Sequence, residues 1–307
     1  MKNNSYLSSK KNNFFIRLAY NSSFLCTFAP QPKICNMAEE KFKLEDNPWL
    51  EVANMYIPSK TDCLYGENKY YCKGDKDAIE NYNRNAKGTA DEIITKIPSE
   101  PWWGNPLKAR LIILSLNPGY VPEINKTLAL LMQTNETVRR QLIEYKAKTL
   151  RLEAESFLPE EENDVNCPIS CKEAVNMLGD WYWVKMLKQL KDATGLDDDK
   201  DFYRRVALVE YHGYSSQTSG RVFPRKGDML ESQVFLRKML WHIAESRREE
   251  VCFLVMRGKK EWAKLLSQEF FDVFNVVEKK PSSMISQYIT PANFEDGKYE
   301  EILKILR

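Results

Sequence analysis

The chain has almost no net charge. Its 307 residues carry 45 Lys and Arg against 43 Asp and Glu, which leaves a formal net charge of +2. A protein that is attracted to nucleic acid over its whole surface carries a large excess of basic residues. The near balance excludes such a protein, so any contact with a polyanion has to use a local basic patch.

Histidine is scarce, and cysteine follows no regular spacing. The histidines are His212 and His242, and the cysteines are Cys26, Cys35, Cys63, Cys72, Cys167, Cys171 and Cys252. An odd number of irregularly spaced cysteines supports neither a disulfide framework nor a zinc site. Cys63 with Cys72, or Cys167 with Cys171, could pair or bind a metal, but reduced thiols are the simpler interpretation. We expect a cytoplasmic protein without a metal or other cofactor.

Long apolar runs are also missing. Residues 1–38 contain no acidic residue and only broken apolar pieces, such as Phe14-Phe15-Ile16. These pieces are too short to span a membrane, and no clean cleavage signal for export follows them. We expect residues 1–37 to be a disordered tail, or an extension upstream of a true start at Met37.

The remaining sequence divides into a polar part and an alternating part. We expect residues 38–100 to form an irregular N-terminal layer with one or two helices, one of them over 90–97. From residue 101 onward, short apolar runs alternate with stretches of helical periodicity. The predicted strands are 109–116, 205–209, 251–256 and 271–277, and the predicted helices are 127–152, 171–190, 229–246 and 260–268.

This alternation predicts the fold class. Strands that alternate with helices form a parallel sheet covered on both faces. The sequence therefore predicts an α/β domain over 101–307, a three-layer α/β/α sandwich with a four-stranded parallel central sheet. Ligands bind such sheets beyond the carboxyl ends of the strands. The segments that begin at Asn117, Glu210, Arg257 and Lys279 are therefore the places to look for a site.

Two short motifs stand at predicted strand exits. Asn117-Pro118-Gly119-Tyr120 follows the first strand, and Lys280-Pro281-Ser282-Ser283-Met284 follows the last. Each alone is an ordinary turn or helix cap. Together, and in this order, they resemble the uracil-DNA glycosylase superfamily, in the branch that carries an Asn-Pro-Gly loop. The second motif of that superfamily is His-Pro-Ser followed by an apolar wedge, and the resemblance covers residues 102–307.

The resemblance implies a role for each candidate residue. Asn117 would orient the attacking water, and Lys280, which replaces the family's histidine, would act on the leaving base or a phosphate. The residues expected to bind the base are Pro118, Gly119, Tyr120, Glu210 and His212. The family usually has an asparagine at the end of the second strand, where this chain has Glu210-Tyr211-His212, so a base other than uracil is open. The residues expected to bind DNA are Arg221, Arg225, Lys226, Arg257, Ser282, Ser283 and Met284.

The leading interpretation is a monomeric DNA glycosylase that acts in DNA repair. It would flip uracil or another modified base out of single- or double-stranded DNA and hydrolyse its N-glycosidic bond. The alternative is an inactive nucleic-acid-binding protein that keeps the fold, which the missing histidine and asparagine favour and the retained Asn-Pro-Gly loop disfavours. A metal-dependent nuclease is less suitable because no tight carboxylate cluster is visible. A hydrolase of small nucleosides or nucleotides would rest only on analogy of fold.

Overall fold

The computed structural model describes residues 41–57, 69–158, 182–218, 223–224, 229–283 and 288–307. Within these residues it contains five strands and ten α-helices. The tail expected over 1–37 lies outside the described residues. So do four of the residues expected to bind DNA, Arg221, Arg225, Lys226 and Met284.

The strands form one mixed sheet. They are β1 (Trp102–Trp103), β2 (Leu111–Ser115), β3 (Val206–Glu210), β4 (Cys252–Val255) and β5 (Val276–Glu278). Their order is β1-β3-β2-β4-β5, and the four strands from β3 to β5 in that order are parallel. The α/β fold is confirmed, but the expectation of four strands that are all parallel is wrong, because β1 adds an antiparallel edge next to β3.

The extra strand is short because turn residues limit it on both sides. Pro101 precedes it, and Gly104 follows it with a φ of +71°, a conformation that favours glycine. A side chain at Gly104 would also meet the Val206 carbonyl oxygen, 2.8 Å from the added carbon. The Pro101 carbonyl still accepts a hydrogen bond from the Glu210 backbone at 2.9 Å. Because Pro101 and Gly104 are typical of turns, the sequence does not predict the two-residue strand between them.

Apolar side chains pack on both faces of the sheet. Every residue of β2 and β3 is buried. In β2, Ile112 and Leu114 belong to one core, and Leu111 and Ile113 belong to a second core on the other face. In the sequence, a strand that is covered on both faces is a continuous run of apolar residues, without alternating polar ones. This is why the run over 109–116 indicates a central strand so clearly.

Within the described residues, two helices precede the first strand, and the other eight lie between strands or after the last strand. They are α1 (Leu50–Met55), α2 (Lys76–Ala86), α3 (Pro122–Thr134), α4 (Glu136–Leu150), α5 (Tyr182–Thr194), α6 (Asp199–Arg204), α7 (Glu231–Ser246), α8 (Lys259–Leu266), α9 (Gln268–Val273) and α10 (Lys298–Leu306). Short 3-10 turns lie at Leu44–Asp46, Lys73–Asp75, Pro281–Ser283 and Pro291–Asn293. Residues of α5, α6 and α10 pack in one core, and residues of α1, α2, α4, α7, α8 and α9 pack in the other. No helix of the described residues is long and apolar enough to cross a bilayer.

Three local predictions are wrong. The helix expected over 127–152 is two helices, because the Asn135 side chain accepts the Val138 N–H at 3.0 Å and begins α4. The helix expected over 90–97 is absent, and Ile94 instead forms an isolated bridge with Ser215. The strand expected over 271–277 begins only at Val276, after the end of α9.

An aromatic cluster explains the last difference. Phe270 and Phe274 lie four residues apart, the spacing that brings side chains together on one side of a helical turn. Both rings pack against Trp241 of α7, with centroids 5.4 and 5.5 Å away. This packing holds the segment before β5 in a helical conformation, although its phenylalanines also suit a strand.

A buried carboxylate joins the N-terminal layer to the sheet domain. Asp75 has no solvent exposure and lies directly before α2. It accepts hydrogen bonds from the hydroxyls of Tyr214, at 2.6 Å, and Ser232, at 2.5 Å, and from the Ser232 backbone at 3.2 Å. It thereby connects α2, the segment after β3 and the first turn of α7.

Replacing Asp75 should destabilise the protein. In Asp75→Ala the buried hydroxyls of Tyr214 and Ser232 lose their common acceptor, and each unpaired group costs about 1–3 kcal/mol. We expect urea unfolding to show a loss of about 2–4 kcal/mol. The control is Asp77→Ala, an exposed position in the first turn of α2 where the loss should stay under about 1 kcal/mol. Equal losses in the two variants would show that the Asp75 network contributes little.

Candidate functional site

The two motif loops leave the same edge of the sheet. The Asn-Pro-Gly loop follows β2 and the Lys-Pro-Ser turn follows β5, with β4 between them. Neighbouring strands lie about 4.8 Å apart, so the two exits are separated by roughly 10 Å. The residues that follow β3 and β4 leave the same edge. Candidate residues that are far apart in the sequence therefore lie around one part of the surface.

A second loop fixes the orientation of Asn117. Its Nδ2 donates to Ser216 Oγ at 3.0 Å and to the Pro118 carbonyl at 3.1 Å. Ser216 Oγ in turn donates to the Thr218 carbonyl at 2.7 Å, and the Tyr120 backbone donates to the Ser216 carbonyl at 3.0 Å. These contacts hold the Asn117 amide in one orientation. No described residue donates a hydrogen bond to its Oδ1, so this oxygen can accept one from a ligand or water.

The rest of the loop leaves space above it. Pro118 is buried, Gly119 is exposed and Tyr120 is half-buried. A side-chain carbon added at Gly119 would meet no atom within 4 Å. Glycine is not required there by packing against any described residue. A ligand can approach the backbone at this position closely.

Glu210 ends β3 in a buried position. It is 3% exposed, lies opposite Ser115 of β2, and has no hydrogen-bond partner at Oε2 among the described residues. Burial raises the pKa of Glu210 to about 8; a hydrogen bond from Ser115 and the nearby Arg257 act against this rise, and Glu100 adds to it. The carboxyl group is therefore mostly protonated at pH 7. It can offer one donor and one acceptor, as an amide does.

Sequence analysis missed Glu100, which lies beside Glu210. The Glu100 backbone donates to the Gly213 carbonyl at 2.8 Å, which places it next to the exit of β3. Its carboxylate pairs with the Lys146 ammonium, which lies 5.0 Å from the centre of the Trp103 ring. These groups line a small recess. Only the recognition of β1 as a strand antiparallel to β3 would have placed Glu100 at this edge.

His212 packs inside the protein. It is 5% exposed, and its ring lies against the rings of Tyr214 and Phe223. Its Nδ1 accepts a long hydrogen bond of 3.4 Å from the Tyr214 backbone. Burial lowers the pKa of His212 to about 3. The imidazole is therefore neutral at physiological pH, and its contacts are those of a structural residue.

Basic residues follow β4 and β5. Arg257 and Lys280 are half-buried, and Lys279 is 5% exposed. Burial lowers the pKa of Lys279, and the nearby Arg257 lowers it further. Lys280 is fixed by its backbone, which donates to the Asn293 carbonyl at 2.9 Å. Arg257, Lys279 and Lys280 therefore form a basic rim at this edge of the sheet, and Arg257 is one of the residues expected to bind DNA.

The two serines of the second motif differ in their surroundings. Ser282 is exposed. Ser283 Oγ lies within hydrogen-bond distance of the Lys280 carbonyl, at 3.0 Å, and of the Asn293 carbonyl, at 2.9 Å. The Ser283 hydroxyl therefore stabilises the turn, whereas Ser282 can contact a ligand.

Neither metal chemistry nor a known relative points to a function. Among the described residues, no group of three or more His, Cys, Asp or Glu side chains could hold a metal ion. Comparisons of the chain with protein-family models, with curated proteins and with solved structures find no match. The case for a function therefore depends on the geometry and charge of the site itself.

The protonation of Glu210 predicts a pH dependence of stability. Its pKa is about 8 in the folded protein against 4.5 for an exposed glutamate, so folding favours the protonated form. The resulting contribution of Glu210 to the free energy of unfolding is fully present below about pH 4.5 and is lost as the pH rises to about 8. It amounts to roughly 3–5 kcal/mol. Urea unfolding from pH 5 to pH 9 measures it.

The matched variants are Glu210→Gln and the surface change Glu245→Gln. Glu210→Gln should lose less stability than the wild type as the pH rises, because its amide does not ionise. Glu245→Gln should follow the wild type. If the free energy of unfolding varies with pH in the same way for the wild type and Glu210→Gln, the pKa of Glu210 is not raised by folding.

Proposed function

We propose that this protein is a DNA glycosylase that hydrolyses the N-glycosidic bond of uracil or another modified base in flipped-out DNA. We also propose that its helices and sheet form a three-layer α/β/α sandwich. The main support is the position of the Asn-Pro-Gly loop and the Lys-Pro-Ser turn at one sheet edge, with only β4 between them. Glu210, the last residue of β3, lies at the same edge. The reaction needs no metal or nucleotide cofactor.

Asn117 fits the sugar side of the reaction. When the bond between the sugar and the base breaks, its electron pair leaves with the base and positive charge develops on the sugar. Water then forms the new bond to the sugar and releases a proton to the solvent, and the departing base takes up a proton. The Asn117 Oδ1, held by the contacts of its amide nitrogen with Ser216 and Pro118, can accept a hydrogen bond from that water and orient it.

Glu210 and Tyr120 fit the base side. Negative charge develops on the departing base, and an ionised carboxylate would oppose it. A protonated Glu210 can instead donate a hydrogen bond to the base and accept another. Tyr120 is half-buried beside the open space at Gly119, where it can stack on the base.

Lys280 and Arg257 supply positive charge at the same edge. An ammonium at Lys280 can stabilise the leaving base or bind a phosphate, and the Arg257 guanidinium can bind a phosphate in a bidentate manner. The exposed Ser282 can donate to the DNA backbone. A protein with so little net charge would bind DNA through these few contacts.

The burial of Glu210 favours the non-cleaving alternative. At 3% exposure, Glu210 has almost no surface that a base could contact in this conformation. A nucleic-acid-binding protein would need only the cations at the rim. A catalytic cycle would need the covering residues to move. A direct assay of base release separates the two functions.

The catalytic test uses Asn117→Ala and Lys280→Ala. Oligonucleotides that each carry one modified base are incubated with the full-length protein, and alkali cleavage reveals abasic sites. Asn117→Ala should lower base release by on the order of 100-fold with little change in DNA affinity, because one positioned polar group contributes a few kcal/mol to the transition state. Lys280→Ala should lower both the rate of base release and the affinity for DNA. Equal rates for the wild type and Asn117→Ala would remove Asn117 from the site.

The binding test measures the affinity for duplex and single-stranded DNA as a function of salt. Affinity should fall steeply as salt rises, and the double variant Arg257→Glu with Lys280→Glu should bind more weakly and show a shallower salt dependence. Lys304→Glu in α10 is the charge control, since Lys304 lies on the exposed side of the last helix. Binding of DNA without release of any base would favour the non-cleaving protein, and no binding at all would contradict both.

A further inference from the structure

Three segments of backbone lie side by side at the Asn-Pro-Gly loop. The middle segment, residues 215–218, comes after β3 in the chain. On one side it is hydrogen-bonded to residues 90–94 of the N-terminal layer. On the other side it is joined to the Asn-Pro-Gly loop by a parallel bridge between Gly119 and Ser216. We call these three segments the site ladder.

The N-terminal layer holds both ends of the middle segment. At one end, the Ile94 backbone donates to the Ser215 carbonyl at 2.9 Å. At the other end, the Thr218 backbone donates to the Ala90 carbonyl at 3.1 Å, and the Thr218 hydroxyl donates to Asp91 Oδ1 at 2.5 Å. The segment that contacts the Asn-Pro-Gly loop is therefore fixed from its far side.

Helix α2 supports the outer segment of the site ladder in turn. The Asn83 amide donates to the Ile93 carbonyl at 2.8 Å and accepts the Ile93 N–H at 3.0 Å. Thr89 Oγ1 accepts the Asp91 N–H at 3.2 Å and donates to the Ala86 carbonyl at 2.6 Å. Side chains thus bind this segment to a helix on both sides of Asp91. Hydrogen bonds therefore connect α2 with the Asn-Pro-Gly loop without a break.

The hydrogen bonds of the site ladder have a fixed direction. The Ser216 hydroxyl has one proton, and the Thr218 carbonyl, 2.7 Å away, can only accept it. Ser216 Oγ therefore presents a lone pair to Asn117, and the Pro118 carbonyl is a second acceptor beside the same amide. Only an N–H group satisfies both acceptors. A reversed amide would place Oδ1 against them, so the Thr218 carbonyl selects the end of the Asn117 amide that a ligand or water meets.

We propose that residues 90–94 and Thr218 position Asn117, so that the N-terminal layer forms part of the candidate site. Thr218 is the positioning residue, because the N-terminal layer holds its N–H and hydroxyl while its carbonyl orients the Ser216 hydroxyl. The assignment deepens the proposed function and depends on it for the reaction that Asn117 serves. An acceptor at Asn117 suits a water molecule, which has a proton to donate, and excludes a ligand that offers only acceptors.

The first experiment measures how fast the side-chain amide protons of Asn117 exchange with water, by NMR of the 15N-labelled full-length protein. The signal that disappears in Asn117→Ala identifies them. Ser216→Ala removes one acceptor and should speed exchange by about tenfold, the factor that corresponds to one hydrogen bond. Thr218→Val removes the contact with Asp91 and should speed exchange by about threefold, because that contact is exposed.

Two variants of the same segment are the controls. Thr218→Ser keeps the hydroxyl, and Gln217→Ala changes an exposed neighbour, so both should exchange at the rate of the wild type. If Ser216→Ala fails to fold, Thr218→Val still tests the site ladder, because Thr218 is exposed. Equal exchange in the wild type and Thr218→Val would overturn the proposal, as would faster exchange in Thr218→Ser.

The second experiment measures kcat and KM on an oligonucleotide whose modified base the wild type releases. Thr218→Val should lower kcat by about threefold and Ser216→Ala by about tenfold, with little change in KM, because an oriented water acts in the transition state. Thr218→Ser should restore the rate of the wild type. A change in KM alone, or an equal loss of kcat in Gln217→Ala, would overturn the positioning role.

The two experiments separate this proposal from the proposed function. Faster amide exchange in Thr218→Val, together with no base release by the wild type, would support the site ladder and contradict the glycosylase. Base release that neither Ser216→Ala nor Thr218→Val slows would support the glycosylase and contradict the positioning role.

Discussion

The candidate site depends on the parallel pairing of β2 with β3. In this register Leu111 lies opposite Val206 and Ser115 lies opposite Glu210, so both strands end at the same level. Because every residue of both strands is buried, a shift in register would carry polar residues into the core. The apolar cores on the two faces therefore fix the relative positions of Asn117 and Glu210. The core thus sets the positions of these two residues, and the loop at Ser216 sets the orientation of the Asn117 amide.

Burial also sets the charge of the residues at this edge. It raises the pKa of Glu210 and lowers that of Lys279 and His212, and each of these shifts favours the neutral form. The half-buried Arg257 lies near Glu210 and Lys279 and adds a positive charge at this edge.

The sequence predicted the parts of the fold that depend on local pattern. The continuous apolar run of β2 and the periodicity of α7 correspond closely to the structure. The strand β1 was missed because two tryptophans between a proline and a glycine resemble a turn. The segment of α9 was assigned to a strand because a stretch rich in phenylalanine suits both conformations until its packing partners are known.

The part of the candidate site that depends on the order of the strands was also predictable from the sequence. Glu210 ends a strand, and Asn117, Arg257 and Lys280 each follow the end of a strand by two residues, so the parallel topology alone brings them to one edge. Ser216 and Glu100 were not predictable, because the first contacts Asn117 across 99 residues of sequence and the second depends on β1. Contacts of this range are set by tertiary packing and leave no periodic signal in the sequence.

The Asp75 network has a consequence for the dynamics of the site. Tyr214, which donates to Asp75, lies two residues before Ser216, which holds Asn117. An opening fluctuation that frees Asp75 therefore loosens the anchor of Asn117 as well. The backbone amides of the Asn-Pro-Gly loop and of α2 would then exchange with solvent deuterium as one cooperative unit. A segment that does not contact Asn117 thus sets how often the candidate site loses its ordered conformation.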